Sequence, residues 1–123
     1  APPPPPQQPQ QPPQQPHHHA YDDVRVRVTN AERSNNYTVY FLELRHRSTV
    51  WRCAHRFSAL HALHAHLAKA YPRTPLPTFP AKKLFGSQTK DVVAARARKL
   101  EAYLQTLLHM RAIRDDDHFT RVL

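Results

Sequence analysis

With 123 residues, 18 Lys and Arg against 9 Asp and Glu, the chain is long enough for one domain, too short for two, and carries a formal charge of +9. Its single cysteine, Cys53, excludes an internal disulfide, and its longest apolar run, Val39-Tyr40-Phe41-Leu42, is far too short for a transmembrane helix. The positive surplus suits an anionic partner (nucleic acid, an acidic membrane face or an acidic protein), the plain alternative being a soluble domain that is merely basic.

Residues 1–21 hold nine of the 13 prolines and no Lys, Arg, Asp or Glu. Pro and Gln alternate up to His17-His18-His19. With so little to bury, this leader is expected to be disordered or polyproline II. It reads either as a spacer or, through Pro2 to Pro6, as a ligand for proline-binding domains or profilin. A flexible His tract binds metal only weakly. All the formal charge falls on residues 22–123, the expected folding unit. There is no basic-then-apolar signal pattern, so the cytosol is the default location. The missing initiator Met implies processing or excision from something longer.

From Asp22 the pattern becomes that of strands. Val24, Val26 and Val28 alternate with Arg25 and Arg27, a half-buried strand. Asn30 to Asn36 reads as a polar turn, Tyr37 to Leu44 as a second strand, Arg45 to Ser48 as a turn and Thr49 to Cys53 as a third strand. Short links predict an antiparallel meander. Ser58 is the expected N-cap of a helix carrying Leu60, Leu63, Leu67 and Tyr71, which Pro72 ends. A proline-rich loop over 72–86 closes on Gly86, the only glycine. A long helix is expected from about Asp91 to Met110, with Val93, Leu100, Leu104 and Leu107 on one stripe. Asp115-Asp116-Asp117 begins a last short helix bearing Phe119, Val122 and Leu123. The fold class is therefore α+β: a three-stranded antiparallel meander packed against a helical subdomain, with the proline-rich loop between the two long helices.

Pro77 and Pro80 stiffen the segment Leu76 to Lys82 into an extended elbow that delivers an ammonium to a defined place. Such an elbow suits an anionic ligand better than a core. Arg96 falls inside the apolar stripe of the long helix, whereas Arg98 and Lys99 fall outside it. A guanidinium there needs either an internal carboxylate or an external anion, because an unpaired buried charge is costly. Arg56 stands where the third strand hands over to the first helix, whose terminal amides also favour anions. Phe57, beside it, is either core or a floor for a sugar-like ring. Lys82 and Lys83 are followed by Leu84 and Phe85, which either tuck inward or enter a lipid interface while the lysines meet anionic headgroups. His55, His61, His64 and His66 lack a cysteine or carboxylate to complete a metal set and read as solvated helix histidines, whose titration would mildly strengthen anion binding in acid. No Gly-rich phosphate loop, nucleophile–base pair or acid pair appears, so neither an enzyme nor a cofactor is expected.

Arg56-Phe57-Ser58 entering a helix, Leu76-Pro-Thr-Phe-Pro-Ala-Lys82, Leu84-Phe85-Gly86, and Arg96 four before Leu100-Glu-Ala-Tyr-Leu104 together resemble the PX (phox homology) domain of sorting nexins and phagocyte oxidase subunits, over about residues 22–123. The resemblance implies a phosphoinositide-binding, membrane-targeting module, most often for phosphatidylinositol 3-phosphate on endosomal membranes. Carried over by position, Arg56 would hold the 3-phosphate, Phe57 would pack under the inositol ring, Lys82 would meet the 1-phosphate and Arg96 the 4- and 5-hydroxyls. Lys83, Leu84 and Phe85 would form the membrane-inserting loop. His55 departs from the pattern, standing where the family often has a second basic residue. The alternatives are a protein-interaction module with a PX-like fold and a poor lipid pocket, working through its leader, and a basic nucleic-acid binder in which Trp51 and Tyr40 stack on bases.

Overall fold

The computed structural model describes residues 23–34, 36–81 and 89–123. Strands β1 (Arg25–Arg33), β2 (Thr38–His46) and β3 (Thr49–Arg56) form an antiparallel sheet in the order β1-β2-β3, as the meander pattern predicts. Along β2 the side chains of Thr38, Tyr40, Leu42 and Leu44 are buried on the face that receives the helices, and Val39, Phe41 and Glu43 are half-buried on the other. The β2–β3 turn is tight, and Arg47 takes a φ of 59°, where glycine would be free of steric penalty.

Each strand runs further than its sequence pattern suggests. The stretch from Asn30 that reads as a turn continues β1 as far as Arg33. The register jumps between Val28 and Asn30, marking a β-bulge at Thr29, whose hydroxyl donates to the Phe41 carbonyl at 3.3 Å. One inserted residue reverses the facing of everything after it. Ala31 therefore packs inward with Val28, and the polar residues around it point to solvent. A strict period of two cannot survive that reversal, which is why the strand seems to stop at Val28. β3 likewise continues past Cys53 to Arg56.

Helix α1 (Phe57–Ala70) follows β3 without a linker and buries Leu60, Leu63 and Leu67. Ser58 is not its cap: it lies inside the first turn, and the capping position belongs to Arg56, whose side chain makes no capping bond. Helix α2 (Lys90–Leu108) is capped by the Thr89 hydroxyl, which accepts from the Val92 amide at 3.3 Å. Its buried stripe is Val93, Arg96, Leu100, Tyr103, Leu104, Leu107 and Leu108. A single turn not evident in the sequence, α3 (Arg111–Arg114), precedes α4 (Asp117–Val122). Asp116 caps α4 and also accepts from the Tyr71 hydroxyl at 2.7 Å, tying the last helix to the end of α1. Among the described residues no helix is long and apolar enough to cross a membrane.

The outer edge of β1 is closed by side chains of α2. Val28 N–H donates to Glu101 Oε1 at 2.8 Å and Val26 N–H to Gln105 Oε1 at 2.9 Å. Gln105 Nε2 donates back to the Val24 carbonyl at 2.8 Å. Two residues one helical turn apart thus substitute for a fourth strand, and they fix the azimuth of α2 on the sheet.

The proline-rich loop is described as far as Ala81. Its segment 76–81 straps across the helices through Phe79, whose ring lies 5.3 Å from those of Phe57 and His64 and 5.0 Å from that of Tyr103. His64 Nδ1 is 2.7 Å from the Tyr103 hydroxyl. His64 is therefore a packing residue under the strap and not a solvated one, and His66 is bonded to Asp116 at 3.3 Å.

Two outcomes follow from these contacts. Replacing Glu101 by Ala leaves the Val28 amide without its charged acceptor and should lower stability by about 2 kcal/mol in urea denaturation, with Glu101→Gln recovering most of the loss. Burial, and then the neighbouring His61, lower the pKa of His64 below its ordinary 6.5. The folded state thus prefers neutral imidazole and the unfolded state takes up the proton first. The His64 contribution is complete above 6.5 and is lost as pH falls through that value towards the lower folded one. Wild type should lose more stability than His64→Gln between about pH 7.5 and about pH 5.5, and equal losses would contradict this assignment.

Candidate functional site

The junction of β3 and α1 carries the first element of the site. Arg56 ends the strand and caps the helix only with its backbone, so its guanidinium takes no part in the cap and the first-turn amides get no side-chain partner from it. No acidic residue occupies that first turn. The guanidinium carbon lies 4.2 Å from the centroid of the Tyr37 ring. No carboxylate of the described residues pairs with Arg56; the neighbouring strand arginine, Arg52, is the one that meets Glu43, at 3.2 Å.

Phe57 follows, half-buried, its ring lying against both Phe79 of the strap and Arg96 of α2. The Arg96 guanidinium carbon is 4.0 Å from the Phe57 centroid. Arg96 is only 7% exposed, and its Nε and Nη2 have no hydrogen-bond partner. Of the two fates open to it in the sequence, the internal salt bridge is therefore not formed. A cation over a ring is worth about 0.5–2 kcal/mol, less than a buried guanidinium loses by desolvation. The imbalance is tolerated because the rest of the helix is fixed. Val93 and Leu100 are buried on either side of Arg96, and Glu101 and Gln105 hold the next turns to β1.

Below Arg96 lies Tyr40, fully buried, with its hydroxyl also lacking a hydrogen-bond partner. Burial raises its pKa, and the Arg96 charge works in the opposite direction. The structure thus brings Phe57 and Arg96 into contact, while Arg56, next to Phe57 in the chain, lies on Tyr37. Lys82, Lys83, Leu84 and Phe85 lie outside the described residues; the strap leading to them ends, as described, at Ala81.

Other candidates separate from these residues. His55, paired with Tyr40 in the strand register, directs its Nε2 to the Val122 carbonyl at 2.8 Å and so holds α4. Trp51 is half-buried and donates from Nε1 to the Leu123 carbonyl at 2.8 Å. With Tyr40 wholly enclosed, neither ring offers a platform on which a base could stack. A groove of about 580 Å³ between α1 and the strap is lined by His61, His64, Tyr71 and Phe79, among others, and contains no Lys or Arg.

Tyr37 and Tyr40 read in sequence only as strand residues or, for Tyr40, as a stacking ring, and nothing in the sequence points to Glu101 and Gln105 as partners of β1. Tyr37 becomes visible only once β3 is extended to Arg56 and the Val39–Arg56 register is known.

The PX domain family model matches residues 43–123. A probable serine/threonine-protein kinase of Dictyostelium discoideum is 31% identical over 86 residues, 68% of this chain and 4% of that protein. Human sorting nexin-17 is 44% identical over 62 residues, 50% of this chain and 13% of that protein. The chain therefore spans only a small part of the curated relatives that it matches. The X-ray structure of a designed CISK-PX domain is similar with a TM-score of 0.73 at 21% identity, covering 80% of this chain and 97% of that one. The meander, the Arg56-Phe57 junction and a family match over most of its length agree: the chain belongs to the PX domain family.

Proposed function

We propose that this PX domain recognises phosphatidylinositol 3-phosphate and recruits whatever carries it to endosomal membranes. PX domains are lipid-binding modules, and residues 22–123 form the unit that would act here, with residues 1–21 a leader outside it. The observation that carries the reading is Arg96: a buried guanidinium with two unpartnered nitrogens, resting on the ring of Phe57, whose chain neighbour Arg56 pairs with no acid of the described residues. An anion is what these two arginines lack. A phosphorylated inositol offers a phosphate for Arg56 at the positive end of α1, vicinal hydroxyls for Arg96 and an apolar ring face for Phe57. Each charge-assisted bond contributes about 1.5–3 kcal/mol. Lys82, at the end of the strap, would add a third cation, at the 1-phosphate.

Affinity for one headgroup is weak, and a stable membrane residence needs further terms. The domain's surplus charge of +9 draws it to an anionic surface. Lys83, Leu84 and Phe85 would add insertion, with the apolar pair entering the interface and the lysine remaining among headgroups.

Arg56→Ala should reduce binding to liposomes containing phosphatidylinositol 3-phosphate by at least about tenfold while leaving the melting temperature unchanged. Retained binding would rule out this pocket. A panel of liposomes covering all the phosphoinositides should show the 3-phosphorylated lipid preferred over the 4- and 5-phosphorylated ones. Phe85→Ala should spare binding of the soluble headgroup and weaken binding to liposomes; equal losses in both measurements would argue against insertion.

A further inference from the structure

Tyr37 is the large apolar side chain left exposed among the described residues, at 39%. Nothing in a core explains it. Its backbone is nevertheless held tightly: its carbonyl accepts from the Ser34 amide at 2.8 Å and the Ser34 hydroxyl at 3.0 Å, and its own N–H reaches the Ser34 hydroxyl at 3.2 Å. The register pairs Val39 with Arg56, which places Tyr37, two residues before Val39, on the same side of the ribbon as Arg56. There its ring lies 4.2 Å from the guanidinium.

A guanidinium can be held in two ways. A carboxylate takes its N–H edges, which are the groups a phosphate needs. A ring takes its face and leaves those edges free. Arg56 is exposed and sits on a long, rotamer-rich stem, so without support it would lose most of its freedom when an anion binds. A ring that stacks on the guanidinium from a backbone held by Ser34 removes part of that loss in advance.

We propose that Tyr37 is a positioning residue of the anion site: its ring holds the Arg56 guanidinium by its face and keeps the N–H edges open to a phosphorylated headgroup. The assignment rests on the reading of Arg56 as the phosphate ligand, and it concerns a residue other than Arg56, Phe57 and Arg96.

The test combines binding of a soluble short-chain phosphatidylinositol 3-phosphate with NMR of the Arg56 side chain, in wild type, Tyr37→Leu, Tyr37→Phe and Arg56→Ala. Tyr37→Leu keeps an apolar side chain and removes the π face. It should weaken binding by about three- to tenfold, whereas Tyr37→Phe should stay within about twofold of wild type. The Arg56 δ-methylene protons should be shifted upfield by the ring in wild type and in Tyr37→Phe, and not in Tyr37→Leu. Unchanged or tighter binding by Tyr37→Leu, an equal loss in Tyr37→Phe, or no ring-current shift in wild type would each overturn the proposal. If Tyr37→Leu weakens binding and Arg56→Ala does not, the phosphate-ligand reading fails, and the positioning role fails with it. If Arg56→Ala abolishes binding and Tyr37→Leu leaves it intact, only the role of Tyr37 is lost.

Discussion

Arginine on an aromatic ring, with no carboxylate in reach, is the interaction on which the rest of this structure turns. Arg96 lies on Phe57 and Arg56 on Tyr37, and neither pairs with an acid of the described residues. The domain does not lack carboxylates near basic residues: Arg52 has Glu43, and His66 has Asp116. The difference is one of placement. At Arg52 and His66 an acid neutralises the charge; at Arg56 and Arg96 a ring holds the guanidinium and the charge stays uncompensated. That arrangement costs folding free energy, because ring faces offset only part of the desolvation of a buried cation. Sites that bind anions are where such a cost is retained.

The scaffold has to keep that unfavourable arrangement from relaxing, and β1 shows how. An edge strand ordinarily exposes a row of unpaired amides. Here Glu101 and Gln105 cover two of them, and the same two residues lock α2 in rotation and height. Arg96 lies little more than one turn before Glu101, so a rotation of the helix that would carry it outward to water would break a bond to the sheet. Edge protection and site geometry are thus one set of contacts. The bulge at Thr29 contributes by turning Ala31 inward, where it packs in the small cluster of Tyr40, Leu60, Val93 and Leu100 next to Arg96.

Much of this architecture is written in local pattern. The alternation Val24-Arg25-Val26-Arg27-Val28, the heptad-like spacing from Leu60 to Leu67 and the stripe from Val93 to Leu107 each reflect a single element meeting a single core, and each reads correctly. What fails to read depends on partners distant in the chain. The bulge hides the second half of β1, because one inserted residue cancels the period used to detect a strand. Ser58 looks like a cap by residue type, yet β3 runs directly into α1 and leaves no residue free to serve. Arg96 is conspicuous by its position on the stripe, but only the fold shows that a ring, and no carboxylate of the described residues, meets it. His64 appears in sequence as one histidine among several; only its place under Phe79, against Tyr103, shows that it packs and that its pKa is lowered.

Phe79 connects the two halves of this picture. Its ring touches Phe57, the support of Arg96, and also His64 and Tyr103, which bind the strap to α1 and α2. The strap is a proline-stiffened chain seated by that ring, described as far as Ala81. Packing of this density does not deform continuously. A change that unseats Phe79 therefore acts on the floor beneath Arg96 and on the lead-in to Lys82 together. One aromatic cluster thus joins the strap to the support of Arg96, so the placement of that guanidinium is a property of the core.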